Sequence, residues 1–282
     1  MPHHKKLKFD EVGYWSEVKL DIVKEYAAAY STILTAQTKP KLEHAYIDAF
    51  AGAGIVFSKG KKEFVPGSPL NALLIQPPFR DYYLIDIDKQ KLGVLNDIVD
   101  TKPNVHVYSG DCNSILIDDV FPKVRFEDYR RGLCLLDPYG LHLAWDVIRV
   151  AGKMRSIDMF LNFPVADMNR NVLWRNPEGV DLADVDRMNR YWGDESWKTT
   201  AYAAGRNLFG DLEVEKEENK KIAGGFRDRL RRVAGFQHVP EPLPMRNSKG
   251  AMVYYLFFAS QKPTALHIIE DIFSKYRNRM AG

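Results

Sequence analysis

The chain has 282 residues, 45% of them hydrophobic and 27% charged, with 40 basic against 37 acidic side chains and a net charge of +3. That composition excludes a disordered or collagen-like chain, and the length suits one extended domain or a domain with an appendage. So small a net charge permits a polyanionic partner without arguing for one, and two cysteines, Cys112 and Cys134, are too few for a disulfide framework or a structural zinc site.

No apolar run is long enough to span a bilayer, and Met1 to Lys6, with His3 and His4, lacks the apolar stretch of a secretory signal. The expectation is therefore a cytoplasmic protein with no membrane partner. A long amphipathic helix comes first, over Ser16 to Gln37, because Val18, Ile22, Val23, Tyr26, Tyr30, Ile33 and Leu34 recur at helical spacing. Ala45 to Phe50 reads as a strand ending in a Gly-Ala-Gly turn. A loop rich in Lys and Gly follows, and a helix opens with Ser68 as its N-cap and Pro69 at its first position.

Strands are then expected over Tyr82–Asp86, Val105–Tyr108, Gly132–Asp137 and Ile157–Asn162, each separated by a helix or turn. Short, almost continuously apolar strands alternating with helices indicate a doubly wound, mostly parallel α/β sheet covered on both faces. Residues 1–164 thus form an N-terminal helix and an α/β core. Residues 165–234 show helical stretches and no strand, and read as a helical insertion for substrate or partner recognition. Residues 235–282 return to strand-like sequence at Met252–Phe258 and close with a helix from Pro263, completing the core.

In an open parallel sheet, ligands bind beyond the carboxyl ends of the strands. Asp48 stands at the first of these ends, followed by Phe50, Ala51, Gly52 and Gly54. Asp86, Ile87 and Asp88 stand at the second, Asp111 and Cys112 at the third, and Asp137 at the fourth. Glycines allow close main-chain approach, and carboxylates accept from ribose hydroxyls and an adenine amino group. A plain turn with acidic helix caps is the simpler alternative; four matched strand ends favour a nucleoside-bearing cofactor. NAD fits less well, since the third glycine of G-x-G-x-x-G is absent and a ring of acids repels a diphosphate. A cationic sulfonium compound, S-adenosylmethionine, suits the same ring. Cys112 reads as a packed thiol beside this rim.

Asp137-Pro-Tyr-Gly140 has the chemistry needed at an exocyclic amino group. The Asp137 carboxylate and the Pro138 carbonyl accept its two N–H bonds, and the Tyr139 ring stacks the base. One proline of the four-residue pattern Asp/Asn-Pro-Pro-Tyr/Phe that serves such amino groups is missing, so Tyr139 comes one position early, and either the loop compensates or the substrate is not a flipped base. At the end of the fifth strand Asn162-Phe163-Pro164 faces the same crevice, where Phe163 is either a second aromatic wall or core. Asn169 and Arg170 suit a polar or phosphate-bearing substrate, with a helix cap and a surface cation as the simpler alternative. Basic and aromatic residues recur through the insertion, among them Arg170, Trp174, Arg175 and Trp192, but Asp181, Asp184 and Asp186 are interspersed. Glu213 to Lys221 reads as a solvated helix face.

These stretches together resemble a class I methyltransferase and, more narrowly, the three-Cys-motif partner (TcmP) family. The resemblance rests on Tyr46–Gly54, Gly67–Leu70, Leu84–Asp88, Gly110–Asn113, Gly132–Gly140 and Asn162–Pro164 with Met168–Arg170, and covers most of the chain. It implies an S-adenosylmethionine-dependent methyltransferase with a Rossmann-like fold, for which an amino nitrogen of an RNA or DNA base is the expected acceptor. The family's name implies a partner bearing a three-cysteine motif, similar to radical-SAM-type proteins. The alternative is therefore a cofactor-binding subunit of such a partner with little or no transferase activity.

Overall fold

The computed structural model describes residues 9–206, 212–247 and 249–281; His3 and His4 lie outside them. In chain order the elements are β1 (Glu11–Val12), α1 (Tyr14–Ala36), β2 (Glu43–Asp48), β3 (Ile55–Ser58), β4 (Glu63–Pro66), α2 (Ser68–Leu73), β5 (Asp81–Asp86) and α3 (Lys89–Val99). Then come β6 (Val105–Ser109), α4 (Cys112–Ile115), β7 (Arg130–Leu136), α5 (Trp145–Met154), β8 (Ile157–Phe163), α6 (Val165–Asn171), α7 (Leu182–Trp192) and α8 (Trp197–Ala201). The chain ends with β9 (Tyr202–Arg206), β10 (Leu212–Lys216), α9 (Asn219–Arg232), β11 (Leu243–Arg246), β12 (Met252–Ala259) and α10 (Pro263–Ala281).

Seven strands form the central sheet in the order β11-β12-β8-β7-β2-β5-β6. The five strands from β8 to β6 are parallel, and β12 runs antiparallel to both of its neighbours. The first strand, β2, lies between β5 and β7, so the chain reverses direction across the sheet at the β2–β7 boundary. That switch point is where an open α/β sheet leaves a crevice at its carboxyl edge.

Strand alternation sorts the core into two layers. Tyr46, Tyr82, Leu84, Leu133, Leu135 and Phe160 face α1 and α10, while Ile47, Tyr83, Ile85, Cys134, Leu136, Met159 and Leu161 face the opposite helices. On α1 the buried stripe is Val18, Ile22, Val23, Tyr26, Ala27 and Tyr30, with Lys19 buried among them. Residues 165–234 contribute directly to the second layer. Phe226 of α9 is fully buried, 4.7 Å from the Phe163 ring and 5.6 Å from the Phe257 ring.

Three local expectations are corrected. The Lys- and Gly-rich loop is a hairpin, β3–β4, in which Phe57 sits opposite Phe64 with ring centroids 5.4 Å apart, and β1 pairs alongside β3. The region read as strandless holds the antiparallel pair β9–β10, and the charge run from Glu213 is split between β10 and α9. The N-cap of α2 is Gly67, not Ser68. Among the described residues, no helix is long and apolar enough to cross a membrane, and no cluster of His, Cys, Asp and Glu could hold a metal ion.

Candidate functional site

The glycine turn after β2 is built by backbone geometry. Gly52 and Gly54 take φ +60° and +77°, the left-handed region that glycine enters without penalty. At Gly54 a Cβ would also lie 2.8 Å from Leu95 Cδ1, so the close approach of α3 requires the missing side chain. Two bonds pin the turn to the end of β5: Ala51 N–H donates to the Ile85 carbonyl at 2.8 Å, and Gly52 N–H donates to Asp86 Oδ2 at 2.8 Å.

The acids expected at the strand ends are all there, and each has a local partner. Asp86 is 5% exposed, and its other oxygen accepts the Asp88 N–H at 2.8 Å. Asp88 caps α3 through the N–H groups of Gln90 and Lys91, and Asp111 caps α4 through Asn113 N–H. Asp48 is fully buried and accepts from Phe50 N–H at 3.2 Å, with the Ser68 hydroxyl beside it favouring its charge. Burial pushes the Asp48 carboxyl up to about 7, against the opposing pull of the Ser68 and Phe50 donors. Cys112 is buried, which raises its thiol to about 12 and makes it inert as a nucleophile. Ile87 is 75% exposed between two acids, an apolar face open beside the rim.

Between the glycine turn and the end of β7 lies a cavity of about 340 Å³, lined by Gly52, Asp137, Pro138 and Tyr139 together with residues of α1, β8 and β12. Lys19 of α1 forms an ion pair with Asp137 Oδ2, and Asn162 Nδ2 donates to Asp137 Oδ1 at 2.7 Å. The Lys19 ammonium also sits 5.6 Å from the centre of the Tyr254 ring. Burial opposes the charge on Lys19, but Asp137, Tyr254 and Asp48 outweigh it and hold its pKa above the ordinary value. Asn162 Oδ1 is buried and has no hydrogen-bond partner among the described residues.

Tyr139 is 58% exposed at the mouth, edge-on to Phe50 at 6.4 Å. Its hydroxyl donates to Asp10 Oδ2 at 3.2 Å, and Lys91 Nζ lies 2.7 Å from both Asp10 oxygens and 5.4 Å from the centre of the Tyr139 ring. The N-terminal segment therefore reaches across the crevice. On the other side, Gly140 takes φ +68°, and a Cβ there would lie 2.6 Å from Asp167 Oδ2, so the loop abuts α6.

Phe163 is not a wall of this crevice. It is fully buried on the opposite face of the sheet, against Tyr191, Phe226 and Phe257. Asn169 spends its side chain locally, donating to Asn219 Oδ1 at 3.0 Å and accepting from Lys216 Nζ at 2.7 Å. Arg170 is exposed, its carbonyl accepting the indole N–H of Trp174, a residue 41% exposed. Asn162 lines the crevice as expected of the fifth strand end, and Lys19, Tyr254, Asp10 and Lys91 join the site without having been singled out in the sequence. Only Lys19 carried a readable sign, a cation inside the apolar stripe of α1.

No protein-family model matches the chain, and no curated protein matches it. Among solved structures it is similar to protein LPL1258 from Legionella pneumophila, with 12% identity, a TM-score of 0.50, and 91% of this chain and 92% of that one covered. Fainter similarities reach an S-adenosylmethionine-dependent methyltransferase from Clostridium acetobutylicum (9% identity, TM-score 0.42, 86% and 92% covered) and one described as such from Listeria monocytogenes (12%, 0.40, 78% and 92%). The likeness to LPL1258 concerns the fold alone and leaves the chemistry to the residues; the Rossmann-like sheet expected from the sequence is the seven-stranded, mostly parallel sheet observed.

Proposed function

We propose that the chain is an S-adenosylmethionine-dependent methyltransferase whose acceptor is an amino nitrogen of a nucleic-acid base. The observation that carries this reading is the placement of the cavity: it opens at the topological switch point, between a left-handed glycine turn and the Asp137-Pro138-Tyr139 strand end. The glycine turn lining the cavity at Gly52, the apolar face of Ile87 and the neighbouring carboxylates fit a cationic nucleoside better than a diphosphate. Bound there, S-adenosylmethionine would supply a methyl group made electrophilic by its sulfonium.

The chain's own contribution is orientation. Asp137 and the Pro138 carbonyl would accept the two N–H bonds of the acceptor amine and turn its lone pair toward the methyl carbon. Lys19 and Asn162 fix the Asp137 carboxylate in one rotamer, and Tyr139 would stack the base. The exposed Trp174 with Arg170 and Arg175, one helix away from Gly140, supports a polyanionic substrate carrying planar bases.

One observation favours a second reading, a cofactor-binding subunit of the three-Cys-motif partner type. Both Asp137 oxygens already have partners in Asn162 and Lys19, so the acceptor amine must share them. Transfer of labelled methyl groups into RNA, DNA and protein separates the two. The methyltransferase reading expects a methylated base amino group, lost in Asp137→Asn. Binding of the cofactor with no methylated product in any of the three would favour the subunit.

A further inference from the structure

The opposite, amino-terminal edge of the sheet holds a second cavity of about 240 Å³, where α1, α10 and the turn between α5 and β8 meet. Leu34, Leu42 and Ile268 give it apolar walls, and Tyr30 and Asp158 are buried within its lining. Its charge is unbalanced. Arg131, Arg155 and Lys262 all line it, and all three hold their charges around one ring, 4.0, 5.5 and 5.6 Å from the centre of Phe126.

Only Asp158 opposes them in the lining. Its two oxygens already accept from Tyr26 at 2.7 Å and Ser260 at 2.5 Å. Nearby Glu127 is taken up by Arg125 at 3.8 Å. Among the described residues neither Arg155 nor Lys262 has an ion-pair partner, and the buried Tyr30 hydroxyl has no hydrogen-bond partner. Leaving a buried hydroxyl unpaired is costly, and such groups in folded proteins ordinarily find a partner. Arg155 adds a second cost: it ends α5 at φ +61°, a position where glycine is favoured.

We propose that this cavity binds a small amphiphilic carboxylate, its apolar body against Leu34, Leu42 and Ile268 and its head among Arg131, Arg155, Lys262 and the Tyr30 hydroxyl. The volume lies below the roughly 300 Å³ at which pockets for drug-sized ligands begin, so the ligand is smaller than a nucleoside cofactor. The site stands at the other end of the strands from the crevice, and nothing in its recognition depends on methyl transfer.

Calorimetric titration of the full chain with octanoate tests this, with octanol and inorganic phosphate as tail-only and head-only probes. Octanoate is expected to bind one per chain, with both controls weaker by about tenfold or more. Arg155→Gly combined with Lys262→Gln should weaken octanoate by about tenfold while leaving the fold intact, since glycine suits the left-handed backbone at 155. Tyr30→Phe should weaken binding without lowering the melting temperature of the free protein, because the hydroxyl it removes is unpaired. Absence of octanoate binding, octanol or phosphate binding as tightly as octanoate, or unchanged affinity in the variants would each overturn the proposal.

Discussion

Replacing Asp137 by Asn removes the carboxylate that is ion-paired with the buried Lys19. The Lys19 side chain is 8% exposed and that of Asp137 is 29% exposed, so the ammonium cannot recover its hydration by a small movement. Removing one partner of a buried pair costs about 3–5 kcal/mol, because the other charge stays buried without compensation. The partial exposure of Asp137 puts Asp137→Asn near the low end, about 3 kcal/mol. Lys19→Met leaves a carboxylate that water and Asn162 still reach, and costs about 1–2 kcal/mol. The double variant sets an apolar chain beside a neutral amide, so its cost should fall short of the sum by about 2 kcal/mol.

Urea unfolding of the four proteins at pH 7, followed by tryptophan fluorescence, measures this coupling. Additivity within about 0.5 kcal/mol would refute the buried pair as the organiser of the cavity. The pH dependence has a definite sign. Lys19 titrates above its unfolded value of about 10.4, so its stabilisation is complete below that pH and is lost as pH rises through the folded value. Wild type should therefore lose stability above about pH 10.4 more steeply than Lys19→Met.

Asp48 works in the opposite direction. Raised from 3.8 to about 7, it makes the folded state bind more protons across that window, so stability falls as pH rises from 4 to 7, by up to about 4 kcal/mol. Asp48→Asn should flatten this slope in urea titrations, and an unchanged slope would remove Asp48 as its source. Gly54→Ala forces a left-handed backbone onto alanine and drives a Cβ to 2.8 Å from Leu95. A loss of about 2–4 kcal/mol is expected from strain and overpacking, and a loss under 1 kcal/mol in thermal melts would show a turn more yielding than described. Phe226→Ala empties a site enclosed by Trp145, Phe163, Tyr191, Trp192 and Phe257 and should cost about 3–5 kcal/mol. A change confined to α9 in hydrogen exchange, with β8 and β12 unaffected, would contradict the packing of residues 165–234 on the sheet.

The sheet was legible because its parallel strands are short apolar runs closed by acids or glycines, and α1 because its stripe holds helical spacing over five turns. The β9–β10 pair was hidden: Tyr202-Ala-Ala-Gly-Arg has little strand propensity, and its pairing comes from tertiary context. Of the two readings of Phe163, wall or core, register decides for the core. The strand runs one residue past Asn162, and alternation sends Asn162 to the cavity side with Phe160 while Phe163 joins Leu161 on the other face. The acids were found in sequence, but their hydrogen-bond partners were not. Asp86 reads as a free ribose acceptor until Gly52 N–H is seen to occupy it, a contact between residues 34 apart in the chain. Lys19 and Asp137 are 118 residues apart, which no local pattern connects.

The central claim is that the crevice lined by Gly52, Asp137 and Tyr139 binds S-adenosylmethionine. Calorimetric titration of the wild-type chain with S-adenosylmethionine, NAD and ATP tests it most directly, repeated on Asp86→Ala, which removes one of the two bonds that pin the glycine turn to the end of β5. One S-adenosylmethionine per chain should bind, more tightly than NAD or ATP, and the Asp86 variant should bind it more weakly. Preference for NAD or ATP, or no heat from S-adenosylmethionine with a folded chain, would contradict the assignment.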